Sequence, residues 1–210
     1  MKLYDAAWAP SPRRVRMYLA EKAIQVERVP IDLAAGEHLG EAYRALVPRG
    51  VVPALELDDG EVIVESAAIC RFFEALHPDP PLFGVRPVEI ARIESWTRRI
   101  EAEGYAAAAY ALRNGIPAFA GRGLPGHWPE VAQIPALVDR ARVMWAGFAE
   151  ALDRQLAQNE WVAGDRYSFA DITALATIDF ARRARLTLPE GAEHIARWYG
   201  IVAARPSAEA

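Results

Sequence analysis

Apolar positions along this chain follow a period of two alternating with a period near 3.6 up to about residue 76, and beyond residue 88 only the helical period recurs. Lys2 to Tyr4 reads as a short strand. Pro10, Ser11 and Pro12 then break the chain and put a serine where a helix would begin, and Val15, Tyr18 and Leu19 follow at helical spacing. A helix from about Pro12 to Lys22 is predicted, with Arg13, Arg14 and Arg16 on its exposed side. Val26 to Ile31 alternates as a strand, and Glu37 to Leu46 carries Leu39, Ala42, Tyr43 and Leu46 at helix-compatible positions. Val51 to Leu57 and Glu61 to Val64 flank Asp58-Asp59-Gly60, and Asp-Gly between two β-rich runs signals a hairpin. Ser66 suits an N-cap, after which Ile69, Phe72, Phe73 and Leu76 fall at i, i+3, i+4 and i+7.

This order is βαβαββα, and it closes a front domain of residues 1–77. Pro78, Pro80, Pro81 and Pro87 mark a segment, 78–87, that can continue neither helix nor sheet and reads as a linker. Residues 88–210 form an all-helical back domain, with helix faces at Ile93, Trp96 and Ile100, at Leu137, Ala141, Trp145, Phe148 and Leu152, and at Ile195, Trp198, Tyr199 and Val202. Gly115 to Pro135, rich in Gly and Pro, reads as a loop that could border a substrate pocket. Ser168 to Asp171 has the form of a capping box, with Tyr167 and Phe169 placed to pack nearby.

At 210 residues, 52% hydrophobic and 25% charged, the composition is that of a folded globular protein. A net charge of -4 gives no electrostatic footprint for nucleic acid or an anionic membrane surface. There is no signal-type apolar region at the start and no run of 18 apolar residues, so a cytoplasmic location is expected. The single cysteine, Cys70, allows no intramolecular disulfide, CxxC pair or Cys-rich zinc site, and beside Phe72 and Phe73 it reads as a small buried hydrophobe. His38, His77, His127 and His194 lack metal-site spacing, so no metal is expected.

The run VPALELDDGEVIVESAAI, from Val52 to Ile69, resembles the glutathione-binding signature of the glutathione transferase family. RRVRMYLAEKAI, AAGEHL and WVAGDRYSFADI agree in order, so the resemblance covers essentially the whole chain. It implies a thioredoxin-like front domain, an α/β unit, followed by an all-α substrate domain. It also implies that Pro53 is cis, leaving the Val52 backbone to bind the cysteinyl part of glutathione, and that Glu65 and Ser66 hold the γ-glutamyl end. A carboxylate can accept from the tripeptide's ammonium, while a hydroxyl and free N–H groups at a helix start can receive its carboxylate. His38 matches a position that approaches the glycyl carboxylate. The Lys or His that many relatives place just before the Val-Pro is here Gly50-Val51, so that part of the clamp is absent or comes from elsewhere. The capping box is implied to serve folding and stability.

The implied activity is transfer of glutathione, as thiolate, to small hydrophobic electrophiles. At a free pKa near 8.5 only about 3% of a thiol is ionised at pH 7, and lowering it by about two units takes about 2.7 kcal/mol. Ser11 is the candidate catalytic hydroxyl, although ungapped alignment puts the usual catalytic position on Ala9. One fungal and bacterial subgroup, similar in Pro-x-Pro-x-Arg-Val-Arg, uses a water held by back-domain side chains instead. Candidate pocket residues are Trp8, Tyr105, Arg113 and Asn114, with Tyr4 and Tyr110 behind them. A homodimer is expected from the resemblance. Glutathione-dependent reduction of peroxides or disulfides is an alternative activity, and a noncatalytic interaction module is the alternative from another class. Zeta-type isomerisation is disfavoured because that class's Ser-Ser-Cys start is missing.

Overall fold

The structure, a computed structural model, describes residues 1–210. The front half orders β1 (Lys2–Asp5), α1 (Pro10–Glu21), β2 (Glu27–Pro30), α2 (Glu41–Leu46), β3 (Ala54–Glu56), β4 (Val62–Val64) and α3 (Ser66–Leu76). Its sheet runs β2-β1-β3-β4, with β1 parallel to β2 and the other pairs antiparallel. This is the expected thioredoxin-like arrangement, and the β3–β4 hairpin turns at Gly60, where φ is +88°. The back half has no strand. It comprises α4 (Pro87–Arg99), a π-helical turn (Ile100–Tyr105), α5 (Ala106–Gly115), α6 (Pro135–Gln158), α7 (Phe169–Arg183) and α8 (Glu193–Ala203).

Three local expectations are corrected. Helix α1 begins at Pro10, because proline's preset φ suits the first helical position and Ala9 is extended. The expected Glu37–Leu46 helix divides into a short 3-10 turn, Glu37–Leu39, and α2, because Gly40 between them is extended. Ser66 is the first residue inside α3 rather than its cap. The cap position is Glu65, at φ 73° and ψ 118°, a conformation that costs a non-glycine residue roughly 1–3 kcal/mol and clusters at functional sites.

The arginines of α1 are a fourth correction. Arg14 and Arg16 are only 5% and 7% exposed, because α3 and α7 pack against α1 and the residues up to Ala210, whose carbonyl accepts from Arg16 Nε, cover its remaining side. Each guanidinium is compensated: Arg13 pairs with Asp179 at 2.6 Å, Arg14 with Glu101 at 2.6 Å, and Arg16 with Asp5 at 2.6 Å.

One apolar core runs through both halves, joining Leu3, Val15 and Phe73 to Trp145, Phe169 and Trp198. The segment between α3 and α4 contributes to it. Leu82 and Phe83 are buried, the Phe83 ring stacks on Phe169 with centroids 4.6 Å apart, and the Phe169 N–H donates to the Leu82 carbonyl at 2.9 Å. In the Ser168–Asp171 capping box, the Ser168 N–H and hydroxyl donate to one carboxylate oxygen of Asp171 at 2.9 and 3.0 Å. The other oxygen accepts from Val162 N–H and Trp198 Nε1, each at 2.9 Å. Burial pushes the Asp171 carboxyl up to about 6, and these donors oppose the shift.

Gly104, in the π turn, lies against Phe148: a Cβ added there would stand 2.7 Å from the ring. Gly104→Ala is expected to destabilise the protein by about 1–3 kcal/mol through overpacking, measurable as a lowered denaturation midpoint at unchanged m-value. No helix is long and apolar enough to cross a membrane.

Candidate active site

A cleft of about 280 Å³ opens where the start of α1, the loop before β3, the start of α3 and helix α5 meet. On its front wall the Val52–Pro53 peptide bond is cis. The Tyr43 hydroxyl donates to the Val51 carbonyl at 2.7 Å and holds this loop against α2. Neither the N–H nor the C=O of Val52 has a partner within the protein. The chain therefore presents a short open backbone edge, able to pair with one extended residue of a ligand.

Glu65 and Ser66 line the same cleft. Glu65 is exposed and its carboxylate has no hydrogen-bond or ion-pair partner, so it is free to receive a cation. Ser66 is 1% exposed, and its hydroxyl accepts a hydrogen bond from Arg14 Nη2 while Arg14 Nη1 holds Glu101. With one lone pair committed to Arg14, the Ser66 proton is left to donate into the cleft, beside the free N–H groups that open α3. No acidic residue occupies that first turn to compete with an incoming carboxylate.

Ser11 faces this region from the second position of α1. Its hydroxyl lies 2.9 Å from that of Tyr105. Phenols are the more acidic partners, which favours donation from Tyr105 to Ser11 and frees the Ser11 proton. Burial pushes the Tyr105 phenol up, against the pull of Ser11, Arg14 and Arg113, so it remains protonated. Pro10 and Pro12 carry no N–H, which makes the unpaired Ser11 N–H the free backbone donor of this helix start. Tyr105 is the last residue of the π turn, a local widening that recurs at functional sites, and its ring packs on Phe180 at 5.1 Å.

Of the other expected residues, Trp8, His38, Pro53 and Arg113 also line the cleft. Trp8 stands half exposed at the mouth. His38 is buried with its Nδ1 unpartnered; burial, then Arg122 and Arg113, lower its pKa and favour the neutral ring. Asn114 is not part of the wall, contrary to expectation. Its amide donates to the Tyr110 carbonyl and accepts from Ile134 N–H, closing the end of α5 away from the cleft. Tyr4 is likewise occupied elsewhere, donating to Glu56 at 2.8 Å, and Tyr110 lies outside the cleft.

Sequence reasoning missed Phe180, Arg49 and the support that Arg14 gives to Ser66. Phe180 and the Arg14–Ser66 contact carry no local signal, because distant segments bring them together only on folding, whereas Arg49 lies three residues before Val52 in the same loop. Pro125 and Gly126, from the loop between α5 and α6, also line the cleft. A larger, more open cavity of about 600 Å³ shares Trp8, Pro10 and Phe180 with it but holds neither Ser11 nor the Glu65–Ser66 pair. The residues singled out by sequence as binding and catalytic candidates therefore meet in the smaller cleft. No three His, Cys, Asp or Glu side chains come together in a way that could hold a metal, and Cys70 lies buried in the core, where burial pushes its thiol up.

Family models for the glutathione S-transferase N-terminal domain and C-terminal domain match residues 8–76 and 126–206. A relative from Saccharomyces cerevisiae, glutathione S-transferase 2, is 35% identical across 99% of this chain and 87% of its own length. Among solved structures, a glutathione S-transferase domain-containing protein from Marinobacter aquaeolei VT8 superposes with a TM-score of 0.90 at 35% identity, covering 99% of each chain. Gtt2 from Saccharomyces cerevisiae superposes with a TM-score of 0.89 at 34% identity, covering 99% of this chain and 98% of its own. Matched over both halves in sequence and over nearly its whole length in structure, the chain belongs to the glutathione S-transferase family.

Proposed function

We propose that this protein binds glutathione in the cleft as its thiolate and transfers it to small hydrophobic electrophiles. The observation that carries this reading is the open backbone edge of Val52, with the Glu65–Ser66 pair and the Ser11–Tyr105 hydroxyls in the same cleft. Val52 pairs with the cysteinyl residue. Glu65 takes the γ-glutamyl ammonium, and Ser66, oriented by Arg14, takes the adjoining carboxylate together with the α3 N-terminus. The sulfur then lies toward the start of α1, where the Ser11 hydroxyl, its N–H and the helix dipole stabilise the negative charge.

The thiolate attacks an electrophilic carbon, forming the C–S bond while the leaving group departs with its electron pair. Leu33, Ala109, Leu112 and Phe180 give the cleft the apolar lining such a partner requires. A homodimer belongs to this proposal, supported by exposed apolar side chains at Val64 on the edge strand β4, Leu76 at the end of α3 and Val88 on α4.

Calorimetric titration tests the binding step. The wild type is expected to bind glutathione at millimolar concentration or below, and Glu65→Gln to weaken it about tenfold or more, the worth of one charged hydrogen bond. Absence of any heat up to millimolar glutathione would overturn the reading.

A further inference from the structure

The charges lining the cleft are unevenly placed. Glu65 is the one carboxylate among them, whereas Arg49 and Arg113 line the cleft and have no carboxylate within ion-pair distance. Uncompensated guanidinium groups in a ligand-sized cleft call for an anion.

Arg113 is held in place for that role. Its Nη1 donates to the carbonyls of Arg122 and Leu124, each at 3.0 Å, and its guanidinium stands 5.1 Å from the Phe119 ring centroid. Nε and Nη2 remain without a protein partner. The loop supplying those carbonyls is pinned at both ends. At its base, Gln133 Nε2 donates to the carbonyls of Arg113 and Ile116 at 2.7 and 2.8 Å. At its tip it crosses to the front domain: His127 N–H donates to the Arg49 carbonyl at 2.7 Å, and the Arg49 guanidinium stands 5.1 Å from the Trp128 ring centroid. Gly126, at φ +84°, permits the approach, since a Cβ there would lie 2.5 Å from the Arg49 carbonyl oxygen. The loop is thus a strap that brings a back-domain guanidinium and a front-domain one to the end of the cleft where His38 lies.

Resting on the reading of this cleft as a glutathione site, we infer that the strap supplies the carboxylate clamp missing before Val52: Arg113, fixed by the strap carbonyls and joined by Arg49, receives the glycyl carboxylate beside His38. The direction of the bound tripeptide requires it. With the γ-glutamyl end at Glu65 and Ser66 and the cysteinyl residue at Val52, the glycyl end continues along the Val51–Arg49 wall, toward the strap. His38, buried with an unpartnered Nδ1, is a further polar group facing this end. Specificity for the third residue of the tripeptide is therefore divided between the two domains.

Titration of wild type and Arg113→Gln with glutathione and with its glycyl ethyl ester, which removes that one charge, tests the inference. Wild type is expected to prefer glutathione over the ester about tenfold or more, and Arg113→Gln to erase the preference while binding the ester within about twofold of wild type. A preference that survives in the variant overturns the clamp. Equal loss of both ligands overturns it too, since Arg113 would then serve only to hold the strap. Wild type that binds neither ligand sinks the glutathione reading itself, and a wild type that binds both equally sinks the clamp alone.

Discussion

Ser11→Ala is expected to lower kcat/KM toward an aryl halide about 30- to 100-fold, leave glutathione affinity within about threefold, and raise the pKa of the bound thiol by about one unit or more. The split between affinity and rate follows from where the hydroxyl acts. In the proposed complex Val52, Glu65 and Ser66 carry the binding of the tripeptide, whereas the Ser11 proton meets only the sulfur, whose charge is what the reaction needs. The Ser11 N–H and the dipole of α1 survive the substitution, which keeps the loss below that of a site stripped of all its donors. Tyr105→Phe is expected to have a smaller effect in the same direction, because Ser11 loses its orienting partner at 2.9 Å but keeps its hydroxyl. Ultraviolet titration of the enzyme-bound thiolate reads the pKa directly. An unchanged thiol pKa in Ser11→Ala would assign activation to another group, such as a water held by the back domain.

Asp171→Ala is expected to cost about 3–5 kcal/mol of stability, the largest single effect on folding. Four donors converge on this fully buried carboxylate: Val162 N–H, Trp198 Nε1 and the N–H and hydroxyl of Ser168. Alanine leaves all four without acceptors in a site water does not reach, and each orphaned donor carries a desolvation cost. Because Trp198 and Phe169 sit in the core shared by both halves, the loss extends to the front domain and the cleft. Urea denaturation followed by tryptophan fluorescence measures it. A change under 1 kcal/mol would mean that the capping box is dispensable.

How far the sequence reveals this molecule depends on the range of the interaction concerned. The alternation of short β runs with 3.6-period helices, the Asp-Gly turn and the capping box are local patterns, and the order of elements follows from them. Glu65, Ser66 and Val52 lie within one contiguous motif, so their joint placement is legible as well. Helical period alone marks Arg14 and Arg16 as exposed, whereas their partners, Glu101 and Asp5, are brought to them only by folding. Asn114 followed the same logic in reverse. A polar residue beside a Gly/Pro-rich loop suggests a ligand, yet its amide is bound to the backbone of Tyr110 and Ile134, outside the cleft. The strap contacts of Arg49 with His127 and Trp128 bridge the two domains, and no spacing rule anticipates them.

The most direct test of the central claim is a crystal structure of the protein with glutathione bound. The expected complex has the cysteinyl residue paired with the Val52 backbone, the γ-glutamyl group at Glu65 and Ser66, and the sulfur within about 3.5 Å of the Ser11 hydroxyl. A tripeptide seated in the larger cavity beyond Trp8, or lying in the cleft with its sulfur turned away from the start of α1, would contradict it.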